Sequence, residues 1–78
     1  MTNKEILETK IGDTTIQEMS TLTFLGWITK KINGVERKSS VINELTMLIS
    51  NPPLSRKMPD DEKVKIVNKL IGLNVEIK

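Results

Sequence analysis

Phe24 and Trp27, the only aromatic residues of this chain, lie three positions apart within residues 15–33. A domain of 78 residues has few side chains large enough to fill a core or to form a docking surface, so this stretch constrains the fold more than any other. Its start and stop signals predict a helix. Thr15 can cap the first turn and Glu18 can complete a capping box, while a glycine directly after the stretch can end the helix.

Apolar residues fall on more than one side of this predicted helix at about 100° per residue. Phe24 and Trp27 share one side, whereas Leu22 and Leu25 fall roughly opposite them. A helix with this pattern is either enclosed by its own chain or docks on another molecule.

An alternative interpretation of the same stretch is a β-hairpin over residues 21–38. Residues 21–25 are rich in β-branched and aromatic side chains, and Asn33-Gly34 is a strong hairpin-turn signal. The cap signals and the glycine inside the supposed strand favour the helix.

Two further helices are predicted downstream. Residues 40–50 carry apolar side chains at helical spacing, and Pro52 and Pro53 follow and end the helix. Residues 59–71 open with a proline and then three acids, which suits the positive end of a helix dipole.

The two ends of the chain, residues 1–12 and 73–78, alternate apolar and polar residues. Each is an irregular segment or a short strand, and two such strands would pair with each other. The predicted fold class is therefore mainly α: one domain over residues 1–78, built as a small three-helix bundle with a short two-stranded pairing of its ends. The alternative is an α+β fold with the hairpin at residues 21–38.

The composition excludes most catalytic chemistry. The chain has no His, Cys or Tyr, so neither imidazole nor thiolate is present to transfer a proton or attack a carbonyl. The carboxylates of residues 60–62 are explained by the helix dipole. We therefore expect no enzyme, no metal and no cofactor.

The location expected for this protein is the cytoplasm, without a membrane segment. No apolar run reaches the length of a bilayer span, and residues 1–10 lack an apolar signal core. Many Ile, Lys and Asn residues and the lack of Ala are typical of an AT-rich coding sequence, as in a phage, a mobile element or an AT-rich bacterium.

The first functional hypothesis is a small non-catalytic regulator or inhibitor that docks an apolar patch on a partner protein. Large apolar side chains of the central stretch and of the loop after Pro53 are its basis. The predicted partner-binding residues are Phe24, Leu25, Trp27, Leu54 and Met58.

A transcriptional regulator that binds nucleic acid through a basic edge is the second hypothesis. Its phosphate-contacting residues would be Lys30, Lys31, Arg37, Lys38, Arg56 and Lys57. The acids that open the third helix would be repelled by phosphates, and the net charge is only +2. A third hypothesis is a structural or assembly component that forms a homo-oligomer, since a domain this small gains little stability from its own core.

Overall fold

The computed structural model describes residues 2–35, 40–52 and 57–77, and within them the fold is mainly α, as predicted. The three longer helices correspond to the predicted ones, and a short N-terminal helix is additional. In chain order the elements are α1 (Asn3–Glu8), β1 (Lys10–Ile11), β2 (Thr14–Thr15), α2 (Thr21–Ile32), α3 (Ser40–Ser50) and α4 (Asp60–Gly72). No helix in these ranges combines the length and the apolar character that crossing a bilayer requires.

Helix α1 occupies a segment where the sequence pattern suggested a strand or an irregular arm. The N–H of Glu5 donates to the Thr2 hydroxyl at 3.2 Å, and the Thr2 N–H donates to the Glu5 carboxylate at 3.0 Å. This reciprocal capping box satisfies two N–H groups and stabilises the first turn. The alternating pattern was therefore misleading, and Ile6 enters the core from a helix.

Strand β1 pairs with β2, so the predicted pairing of the two chain ends is wrong. Lys10 lies opposite Thr15 and Ile11 opposite Thr14, and Gly12 takes a positive φ of 68° in the turn between them. Residues 73–77 contain no strand. A nearby strand is brought into register at a much smaller entropy cost than a distant one, which favours the local pairing.

Helix α2 begins at Thr21 rather than at the predicted position 15. The hydroxyl of Ser20 caps it by accepting from the N–H of Thr23 at 3.3 Å. The expected cap residues do bond to each other, since the Thr15 hydroxyl donates to the Glu18 carboxylate at 2.8 Å, but they close a separate turn. Because Thr21–Ile32 is helical, the β-hairpin alternative is wrong over the described part of residues 21–38.

The two downstream helices agree with the sequence patterns. Helix α3 covers the predicted residues 40–50, and α4 lies close to the predicted 59–71, with Pro59 directly before its first turn. Asn74, at a φ of 62°, takes the left-handed conformation after α4. There the N–H of Val75 donates to the carbonyl of Leu70 at 3.1 Å.

All four helices contribute apolar side chains to one core. Its buried members are Ile6, Ile16, Met19, Phe24, Leu25, Trp27, Ile28, Leu45, Met58, Val64, Ile66, Val67, Leu70 and Ile77. Because α1, α3 and α4 pack into the cluster that contains α2, the side of α2 that carries Phe24 and Trp27 is enclosed by its own chain, and so is Leu25. Leu22, on the opposite side, remains 75% exposed.

One lysine is fully buried in this core. Lys63, in the first turn of α4, has an exposed fraction of 0%. Its ammonium donates to three carbonyl oxygens, those of Ile16 at 2.8 Å, Gln17 at 3.0 Å and Met19 at 2.6 Å. Burial lowers the pKa of Lys63, the Lys57 ammonium lowers it further, and the Asp60 carboxylate opposes them. Three donors meet three acceptors, so the ammonium is satisfied without a carboxylate partner.

Candidate functional site

The predicted partner-binding residues lie in the core. Phe24, Leu25 and Met58 are buried, and Trp27 keeps only 8% of its surface exposed. Leu54 lies outside the described residues. The expectation that these side chains form an exposed patch is wrong for the four that are described, because the neighbouring helices enclose α2.

The predicted basic edge is described in part. Lys30 and Lys57 are exposed and Lys31 is half-buried. The remaining three residues of that prediction lie outside the described ranges: Arg37, Lys38 and Arg56. The structure brings Lys30 and Lys31 together with Lys10, which the sequence did not single out, whereas Lys57 lies elsewhere, before α4.

A cleft of about 500 Å³ lies where these three lysines meet, and we call it the lysine cleft. Its walls come from β1 and the following turn, from the C-terminal half of α2, and from the end of the described chain. It is lined by Lys10, Ile11, Gly12, Trp27, Lys30, Lys31 and Ile77. Segments from both ends of the chain and from its middle therefore build one concave surface.

Trp27 links the lysine cleft to the core. Its ring lies 5.9 Å from the ring of Phe24, centroid to centroid, at an interplanar angle of 35°. The Lys31 ammonium lies 5.8 Å from the centroid of the Trp27 ring. This cation–π contact restricts Lys31 and holds its charge at the cleft, while the indole supplies apolar surface beneath it.

The electrostatics of the lysine cleft are one-sided. Its described ionisable lining residues are all lysines, whereas Ile11, Trp27 and Ile77 supply apolar surface. Such a surface attracts an anionic group and can bury an apolar one beside it. Among the residues that the structure describes, its lining contains no carboxylate that would serve as the second group of an acid–base pair.

Part of this arrangement was predictable from the sequence, which suggested that residues 1–12 and 73–78 lie side by side as paired strands. Residues 73–77 form no strand, yet Ile11 and Ile77 do line the same cleft. Lys10 was missed because an exposed lysine in a short strand has no local pattern that distinguishes it from a solvated one.

Other kinds of site find no support in the described residues. No group of three or more His, Cys, Asp or Glu side chains there is arranged to hold a metal ion. The acids that open α4 serve its dipole, and Asp60 also accepts a hydrogen bond from the Gln17 amide at 3.1 Å.

Comparison with known proteins gives no relative for this chain. No protein-family model, no curated protein sequence and no solved structure matches it.

Proposed function

We propose that this protein is a non-catalytic protein-binding regulator that holds an acidic segment of a partner protein in the lysine cleft. The observation that supports the proposal is the convergence of Lys10, Lys30 and Lys31 around apolar surface, with no acid among the described lining residues. The recognition surface differs from the exposed patch expected from the sequence, because Phe24 and Leu25 are enclosed. The class of function is the same.

Both the apolar surface and the lysines of the cleft have a role in this binding. Burying one leucine or phenylalanine of the partner is worth about 1.5–3 kcal/mol, before the cost of association. A single exposed ion pair contributes only about 0–1 kcal/mol, so the lysines add selectivity and a faster association rate more than affinity. The preferred partner segment therefore has glutamates or aspartates around an apolar side chain, and salt weakens its binding.

Nucleic acid is the second candidate for the same surface, because three converging lysines also suit phosphates. Proteins that bind single strands usually add aromatic rings on which bases stack. Trp27 is buried against Phe24 and lies beneath Lys31, so its ring is a poor stacking platform. Ile11, which is half-buried, offers apolar surface to a leucine or phenylalanine of a protein segment but no aromatic face to a base. This difference favours the acidic protein segment.

The proposal is tested by titration with a synthetic peptide in which glutamates flank leucine and phenylalanine. Trp27 is the only tryptophan of the chain, so a change in its fluorescence on binding reports that the lysine cleft is occupied. Lys30→Glu should weaken the binding of the peptide by about tenfold or more. Lys4→Glu, the same charge change at an exposed residue of α1 outside the cleft, should leave the affinity within about twofold.

Three results would overturn this proposed function. Equal weakening by both reversals would mean that net charge alone attracts the peptide. Peptide binding without a change in Trp27 fluorescence would place the contact elsewhere. If instead an oligodeoxythymidine binds more tightly than the peptide, with a steep salt dependence that Lys30→Glu reduces, the cleft is a nucleic-acid site.

A further inference from the structure

Helix α3 is incompletely covered by its own chain. Leu45 is its one buried residue, whereas Leu48 and Ile49 are half-buried and Met47 is 67% exposed. In α4, by contrast, five residues are buried. An apolar helix face that remains in water is typical of a surface that a second molecule completes.

The exposed side of α3 borders a groove shared with α4, and we call it the α3–α4 groove. It has a volume of about 440 Å³ and is lined by Glu44, Leu45, Met47, Leu48, Glu62, Lys65, Ile66 and Lys69. The apolar members belong to both helices. Among the described lining residues, two acids and two bases accompany them, and the Lys69 ammonium lies 2.6 Å from the Glu44 carboxylate. The described lining is therefore apolar and balanced in charge.

This balance of charge points to a second copy of the chain as the occupant. A two-fold contact brings the same surface face to face with itself, so each acid must have a base at the corresponding position of the same surface. A surface of one sign, such as the lysine cleft, would repel its own copy. In the α3–α4 groove Glu62 and Lys69 satisfy the two-fold condition, and among the described residues the groove shares none with the lysine cleft.

We propose that two copies associate through the α3–α4 groove, with the α4 helices antiparallel about a two-fold axis between Lys65 and Ile66. Glu62, Lys65 and Lys69 recur at helical spacing and share one face of α4 with Ile66. In this register Glu62 of each copy lies opposite Lys69 of the other. Met47, which is flexible and exposed, adapts to the apolar surface of the second copy.

Sedimentation measurements at protein concentrations from about 1 µM to about 1 mM test the proposal. The wild-type chain should pass from monomer to dimer within this range. Glu62→Lys and Lys69→Glu should each raise the dimer dissociation constant by about tenfold or more, because each places like charges opposite one another at both ends of the contact. The reversal Lys4→Glu, outside the groove, should leave the dissociation constant within about twofold.

Mixing the two variants gives the sharper measurement. A Glu62→Lys chain and a Lys69→Glu chain restore opposite charges at both ends, so their equimolar mixture should form heterodimers under conditions where each variant alone is monomeric. The double variant Glu62→Lys/Lys69→Glu should dimerise by itself for the same reason. Circular dichroism checks that every variant is folded, and Glu62→Lys leaves the Lys69–Glu44 ion pair in place.

The proposal is overturned by any of three results. The first is that the wild-type chain stays monomeric at about 1 mM, which leaves the groove to a different molecule. The second is that it dimerises but neither charge reversal changes the dissociation constant. The third is that the mixture of variants behaves as the sum of its separate components.

Discussion

The ammonium of Lys63 donates a 2.6 Å hydrogen bond to the carbonyl oxygen of Met19, inside the core. Two more carbonyls of the same turn, those of Ile16 and Gln17, accept from the same ammonium. These bonds fix the turn before α2 against the first turn of α4. The Ile16 carbonyl also accepts from the Met19 N–H, three residues on, at 3.3 Å, which is a tight turn and not the four-residue spacing of an α-helix, and α2 begins only at Thr21.

Replacing Lys63 by methionine should strongly destabilise the fold. The substitution keeps an apolar stem of similar length but removes all three donors from the turn. Leaving a buried acceptor without its partner costs about 1–3 kcal/mol, so we expect the free energy of unfolding to fall by about 3 kcal/mol or more. Urea denaturation followed by circular dichroism measures this loss.

Lys4→Met is the matched control, because Lys4 is an exposed residue of α1. It should change the free energy of unfolding by no more than about 0.5 kcal/mol. A similar small effect for Lys63→Met would show that the three carbonyls are satisfied equally well by water, and that the buried lysine does not organise the turn.

The capping box of α1 predicts a pH-dependent coupling between Thr2 and Glu5. The Thr2 backbone N–H and then its side chain lower the pKa of Glu5 from the usual 4.5, because they favour the charged carboxylate. A lowered folded-state pKa means that this contribution is complete above pH 4.5 and is lost as the pH falls through the folded-state value.

Comparison of Glu5→Gln with the wild-type chain in urea denaturation measures this contribution. Gln keeps an acceptor for the Thr2 N–H but removes the charge, so the substitution should lower the free energy of unfolding at neutral pH and lose this effect as the pH falls through the folded-state pKa of Glu5. A loss that keeps the same size as the pH falls would mean that the charge of Glu5 has no part in the cap.

Replacement of two glycines by alanine should change the free energy of unfolding in opposite directions. Gly12 has a φ of 68°, which an L-residue rarely adopts, so Gly12→Ala should cost about 1–2 kcal/mol. Gly26 lies inside α2 with no atom within 4 Å of an added Cβ, so Gly26→Ala should raise the free energy of unfolding by about 0.5–1 kcal/mol. Urea denaturation of both variants checks the signs, and a loss at Gly26 would contradict its exposed helical position.

Phe24 and Leu22 test the enclosure of α2 by its own chain. Phe24 is completely buried whereas Leu22, in the same helix, is 75% exposed. Phe24→Ala should lower the free energy of unfolding by about 3–5 kcal/mol, while Leu22→Ala should change it by about 0.5 kcal/mol or less. If Phe24→Ala proved as mild as Leu22→Ala in urea denaturation, the aromatic side chain would not be a core residue of the isolated chain.

The sequence predictions were most accurate for elements that local interactions stabilise. Helix α3 was predicted with its observed bounds, because its apolar spacing and the prolines after it act within one or two turns. At the start of the chain, two local signals conflicted: the alternating pattern predicted a strand, but the Thr2–Glu5 capping box stabilises a helix. A cap motif directly before the segment was the signal that would have corrected the prediction.

The candidate site was less predictable than the fold. From the sequence, Lys30 and Lys31 were predicted to form part of a basic edge. The sequence did not predict that they line a cleft. Their neighbours Lys10 and Ile77 come from opposite ends of the chain. No spacing rule relates such distant positions, so their convergence is visible only after folding.

The sequence by itself determined the mainly helical class and the positions of α3 and α4, since caps, prolines and apolar spacing are local properties of the chain. Only the tertiary structure decided where α2 begins, that Phe24 and Trp27 are enclosed, and which lysines share a surface. These outcomes depend on burial and on the hydrogen bonds of Lys63, which join segments far apart in the sequence. Such contacts are worth a few kcal/mol, whereas the local preferences that they override amount to about 1 kcal/mol or less per residue.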